Sequence, residues 1–118
     1  MNYNYIIVCL IMIMFDILTG WIKAINAGAF KSSVMRHGLL CKVAEMLILF
    51  LMYIFEYYFP LLNINFGLPV VMIVGTYIII MELSSIIENV GAINPEFSKK
   101  LAHIFADFIN SEKSNEGE

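Results

Sequence analysis

Three long apolar stretches, each interrupted by at least one acidic side chain, take up most of this 118-residue chain. They cover residues 5–22, 39–59 and 66–90. A bilayer core of about 30 Å is crossed by about 20 mostly apolar residues of helix. Each stretch comes close to that length, so the pattern predicts an all-α membrane protein with three transmembrane helices. Hydrophobic residues make up 60% of the chain and its mean hydropathy is +0.80, beyond the range of ordinary soluble domains. The expectation is one membrane domain over residues 1–110 and a disordered polar tail at 111–118. Three spans cannot enclose a wide aqueous channel, so any large conduit would need several copies of the chain.

Charge sets the expected orientation. The connection taken as residues 23–42, which overlaps the start of the second stretch, carries Lys23, Lys31, Arg36 and Lys42 and no acid, whereas residues 57–69 carry no charge. Basic connections stay on the cytoplasmic side. The reading is therefore N-terminus out and C-terminus in, with Lys99 and Lys100 past the third span in agreement. Trp21, Tyr3, Tyr5, Tyr57 and Tyr58 fall near span ends, as an interfacial aromatic belt would. No basic segment precedes the first stretch and no small-residue cleavage site follows it, so it is read as a retained span. Gly28 to Gly38 reads as a polar hinge.

Residues 95–110 differ from the rest. Phe97, Leu101, Ile104, Phe105, Phe108 and Ile109 recur at helical spacing, with Glu96, Lys99, Lys100, His103 and Asp107 around the remaining circumference. This is a short amphipathic helix, expected on the cytoplasmic membrane surface or against a neighbouring chain.

Polar groups inside the spans are costly. A charge at the bilayer centre costs about 2.5–3.5 kcal/mol on insertion scales, so such residues face protein or water. Asp16 falls near the middle of the first span. Asp16 and Lys23 lie seven residues apart on one helix face, and Glu82, Ser85 and Asn89 share a face of the third, with Glu88 close by. These faces are expected to meet each other or a wet interior, with Lys23 or Lys42 balancing the acids. Asp16, Lys23, Glu82, Ser85, Glu88 and Asn89 are the pore-lining or switching candidates. Three roles stay open for them: holding helices together, lining a water-filled path, or relaying protons or ions. Gly20, Ala24 and Gly28 repeat every four residues, a small-residue stripe that lets helices approach closely.

Other chemistry finds little support. A net charge of −3 gives no reason to expect nucleic-acid binding. Cys9 and Cys41 fall near opposite membrane faces on antiparallel spans, too far apart for a disulfide, and read as small apolar filler. His37 and His103 show no Cys, His or acid partner at metal-binding spacing. No phosphate-binding glycine loop or nucleophile elbow is present, so neither enzyme activity nor a cofactor is expected.

Two blocks carry a family resemblance. One runs Phe15-Asp16-Ile17-Leu18-Thr19-Gly20-Trp21-Ile22-Lys23-Ala24. The other runs Glu82-Leu83-Ser84-Ser85-Ile86-Ile87-Glu88-Asn89, followed by Gly91 and Pro95, and Gly38 and Lys42 stand between the two. In this order the chain resembles the toxin-secretion/phage-lysis holin family of phages and prophages of Gram-positive bacteria, over residues 14–105. The resemblance implies a multi-pass protein of the bacterial cytoplasmic membrane, without cofactor or catalytic site. It would assemble as a homo-oligomer in the lipid bilayer and open lesions that release endolysin, or a toxin, at a set time. Endolysin would be its functional partner and an antiholin a possible regulator. The alternative is an antiholin-like or accessory protein that forms no pore alone. Residues 1–11 hold no Lys or Arg, so a second start at Met12 or Met14 does not fit the inhibitor pattern of some holins.

Overall fold

The computed structural model describes residues 3–29 and 31–117. Among these it is helical almost throughout: α1 (Tyr3–Asn26), α2 (Ser32–Tyr57), α3 (Val70–Ile93) and α4 (Pro95–Glu116), with one 3-10 turn, Phe59–Leu62, after α2. The first three are long and apolar enough to cross a membrane. At about 1.5 Å per residue they measure roughly 36–39 Å, enough for the hydrocarbon core and part of each interface.

The boundaries differ from the apolar stretches in instructive ways. α2 begins at Ser32, so Gly38 lies within a helix and the hinge shrinks to residues 27–31. Only Gly28 needs its glycine there, at φ +66° in the turn that follows α1. Residues 66–69 precede α3 instead of opening it, because Gly67 takes φ +66° and Pro69 stands at the N-cap. Lys42 belongs to α2 and not to a loop. Lys31 in the first connection, with Lys23 in the last turn of α1 and Arg36 near the start of α2, still leaves that end of the spans basic, and the second connection has no charge. At the C-terminus α4 runs through most of the segment expected to be disordered, as far as Glu116. Nothing from Ser111 to Glu116 breaks a helix, and the Ser114 hydroxyl donates to the Asn110 carbonyl one turn back.

α1 packs most closely on α3, α2 touches α3 less, and α1 and α2 meet only slightly. The molecule is a flat layer, 55 × 54 × 15 Å, and not a closed barrel of helices. Its buried apolar core is small: Cys9 and Ile13 of α1, Leu49 of α2, and Val71 and Ile78 of α3. The α1–α3 approach is close at Gly75 of α3. A Cβ there would sit 3.4 Å from Tyr5 and 3.6 Å from the Cys9 sulfur. The Cys9 thiol donates to the Gly75 carbonyl at 3.3 Å, so Cys9 is a packing residue with a specific contact.

At the end of the layer remote from the first connection, Tyr3, Tyr53, Tyr57 and Tyr58 form an aromatic cluster, with Phe55, Phe59 and Phe66 as a second. At the other end a single residue, Asn94, joins α3 to α4, and its side chain caps α4 by accepting from the Phe97 amide at 3.2 Å. α4 touches α3 but neither α1 nor α2, and it lies within the 15 Å thickness of the layer.

Candidate functional site

Helix geometry brings three charged residues to one depth. Counting back from the ends that flank the first connection and α4, Asp16 lies ten residues from Asn26, Lys42 ten from Ser32, and Glu82 eleven from Ile93. Each is therefore roughly 15–17 Å in, about half a bilayer core. α1 and α3, which run parallel, and α2, antiparallel to both, thus present an acid, an acid and a base at a common level.

Lys42 is the centre. Its ammonium is 2.6 Å from Asp16 Oδ2 and 2.6 Å from Glu82 Oε1, so one side chain ties α2 to both other spans. Glu45, one turn along α2, is 3.6 Å from the same ammonium. Exposure is low throughout: the side chains are 17% exposed for Lys42, 9% for Asp16 and 1% for Glu82. Charge-assisted contacts of this length are the strong class of hydrogen bond, and low dielectric strengthens them further. The cluster is not charge-balanced, since one ammonium faces three carboxyl groups. Glu82 Oε2 and Glu45 Oε2 are both buried without a hydrogen-bond partner.

A neutral network completes the α1–α3 side. Asn89 Nδ2 donates to Asp16 Oδ1 at 3.0 Å and to the Thr19 hydroxyl at 3.0 Å. The Thr19 hydroxyl in turn donates to the carbonyls of Phe15 and Asp16. Gly20 lies beside this network, and a Cβ there would stand 3.7 Å from Asn89 Nδ2, an ordinary contact. Asp16 therefore holds Lys42 with one oxygen and Asn89 with the other. A cavity of about 210 Å³ lies between α1 and α2, lined by Gly20, Trp21, Val34, Gly38, Asp16 and Lys42 among others. It links the cluster to the end of the layer that bears the first connection.

The structure joins some of the predicted residues and separates others. Asp16, Glu82 and Asn89 come together. Ser85 is half-buried on the same face; among the described residues it makes no side-chain hydrogen bond, and Lys23 and Glu88 are exposed with no ion pair. The counter-charge is Lys42, and Lys23 takes no part. Glu45 and Thr19 were not singled out by pattern, though Glu45 is one turn from Lys42 and Thr19 one turn from Asp16. In the small-residue stripe Gly20 and Ala24 are partly buried on α1, but Gly28 lies beyond the helix with open space around it. Both histidines do have a neighbour one turn on. His103 Nδ1 is 3.1 Å from Asp107 Oδ2, and His37 Nε2 is 3.7 Å from the Cys41 sulfur. No group of three potential metal ligands occurs among the described residues. Cys9 and Cys41 are both free thiols.

Three apolar helices around a buried ion cluster, with an amphipathic fourth, define a small multi-pass membrane protein. Its sequence matches the bacteriophage holin family over residues 2–110, nearly the whole chain. The chain belongs to that family, whose members regulate lysis at a membrane and are not enzymes. No curated protein and no solved structure matches it.

Proposed function

We propose that this protein is a holin of the bacterial cytoplasmic membrane. It accumulates there with its N-terminus outside, assembles with copies of itself, and opens lesions through which endolysin, or a toxin, leaves the cell. The observation that carries this reading is the Lys42–Asp16–Glu82 cluster, held with Asn89 and Thr19 inside a layer only one or two helices thick. Polar groups of this kind are costly in lipid and stable in two settings: paired inside the monomer, or facing water in an assembly. A thin layer can exchange one for the other by moving a single helix. α2 is the candidate, because it is the least buried of the three spans. In the closed monomer Lys42 latches it. In the open assembly Asp16, Lys42, Glu82 and Asn89 line water, with Ser85 beside them.

The same reading places α4 on the cytoplasmic face. Phe97, Ile104, Phe105, Phe108 and Ile109 are at least half exposed, and Leu101 continues their stripe. Since α3 ends one residue before α4 begins, that stripe starts at headgroup level, where an amphipathic helix lies flat.

Induced expression of this protein alone in bacteria tests the proposal, with membrane potential and escape of a folded cytoplasmic enzyme as readouts. Abrupt depolarisation with enzyme escape after a reproducible delay is the expected result. Lys42→Met is expected to shift that delay at equal membrane levels of protein. Continued growth with the protein verified in the membrane would refute the holin reading and favour an antiholin-like regulator.

A further inference from the structure

At the end of the layer opposite the first connection lies a second carboxylate that the cluster does not explain. Glu56 stands in the last turn of α2, and its Oε2 is buried without a hydrogen-bond partner. Residues 57–69 offer no Lys, Arg or His, and no described ion pair includes Glu56. Nor does Glu56 cap the neighbouring helix, since Pro69 holds the N-cap of α3 and no side chain bonds there. Beside it is a cavity of about 270 Å³ lined by Phe55, Glu56, Asn65, Phe66, Leu68 and Val70, among others. The rings of Phe55 and Phe66 meet edge to face at 5.6 Å on its border. The Asn65 side-chain oxygen is already engaged by the Gly67 amide at 3.0 Å.

A carboxylate in want of a cation, beside two aromatic rings, is the chemistry that recognises an organic ammonium. It does not suit a divalent metal, which takes several oxygen ligands where this cavity offers one free carboxylate. The volume is just below the usual range for whole small ligands, about 300–1,000 Å³, and suits a headgroup. Around the cavity Leu61, Leu62, Phe66 and Leu68 are more than half exposed, forming an apolar rim at the ends of two spans. Acyl chains lie against such a rim when the headgroup sits inside it. We propose that this cavity binds the ammonium of a lipid headgroup, primary or quaternary, with Glu56 as its counter-charge and Phe55 and Phe66 as its aromatic walls.

The test uses the full chain in nanodiscs containing equal parts of phosphatidylglycerol and phosphatidylethanolamine, or phosphatidylcholine in place of the latter. Native mass spectrometry then counts the lipids that stay bound. The wild-type chain is expected to retain the amine lipid in preference to phosphatidylglycerol. Glu56→Gln should reduce that preference about tenfold, equivalent to about 1.4 kcal/mol. Phe66→Leu keeps the carboxylate and should weaken it about two- to fivefold. Displacement by soluble ethanolamine or choline would assign the site to the amine alone, and retention against them to the lipid. No preference in the wild type, or an unchanged one in both variants, would overturn the proposal.

Discussion

Removing the Lys42 ammonium is the sharpest perturbation available. Lys42→Met keeps the length and apolar stem of the side chain but leaves Asp16 and Glu82 without the cation each holds at 2.6 Å. Breaking a buried ion pair from one side costs about 3–5 kcal/mol, because a buried charge is left uncompensated. A second estimate bounds the first. An abandoned carboxyl can escape its charge by taking up a proton, which for an unperturbed Glu at pH 7 costs about 3.7 kcal/mol. The two figures agree, so the expected loss is about 3–4 kcal/mol for the first carboxyl. Neutralising the partners as well, by Asp16→Asn with Glu82→Gln, should recover much of the loss at pH 7. The assay is reversible unfolding in mild detergent by added denaturing detergent, followed by helicity. A Lys42→Met variant within about 0.5 kcal/mol of wild type, the scatter of an ordinary surface change, would refute the reasoning. So would partner substitutions whose losses simply add to it.

Three further outcomes are expected in the same unfolding assay or one close to it. Asn89→Ala removes the donor shared by Asp16 and Thr19 and should cost about 1–3 kcal/mol; Asn89→Asp, which sets a carboxylate against Asp16 Oδ1, should cost more. Gly75→Ala should change stability little, because its Cβ would meet Tyr5 and Cys9 at ordinary contact distances, whereas Gly75→Ile overfills the α1–α3 contact and should cost about 1–3 kcal/mol. Phe105→Glu with Phe108→Glu should leave the three-span layer intact but make α4 accessible to protease on vesicles, where wild-type α4 is expected to be protected.

Much of this fold could be read from residue pattern. Three spans follow from hydropathy over lengths that match a bilayer, and α4 follows from Phe97 to Ile109 at helical spacing. Asp16, Glu82 and Asn89 could be singled out because polarity inside a span has to be explained by something. The identity of the cation could not be read in the same way. Lys23 shares a helix face with Asp16, but it sits at the end of α1 and reaches water. Lys42 looked like part of a basic loop, because the pattern could not show that α2 begins ten residues before it. That start has no strong sequence mark: Lys31 stands at the N-cap without a side-chain hydrogen bond, and Gly38 sits inside the helix. Gly75 was missed for a related reason. One glycine in an apolar span is silent until the partner helix shows that Tyr5 and Cys9 press against it.

The cluster and the thin core have to be understood together. In lipid, apolar side chains gain little by meeting each other, so helices associate through close packing and polar contacts. α1 and α3 have both: Gly75 against Tyr5 and Cys9, and Asn89 against Asp16 and Thr19. α2 contributes only Leu49 to the buried core, and most of its surface faces outward. Beside Leu49 and the Tyr3–Tyr53 ring contact, α2 is tied to the other spans by Lys42, which grips one carboxylate on each of them. The part of that attachment that rests on the ion cluster is conditional. It is strong while the surroundings are dry, and weak once water can solvate the ammonium and carboxylates, since an exposed ion pair contributes at most about 1 kcal/mol. The cavity that reaches Lys42 and Asp16 from the first connection is the route by which water would arrive. Hydration and helix release then reinforce each other, because each freed polar group stabilises the water that freed it. On the holin reading proposed above, such feedback would turn a gradual rise in protein density into an abrupt transition.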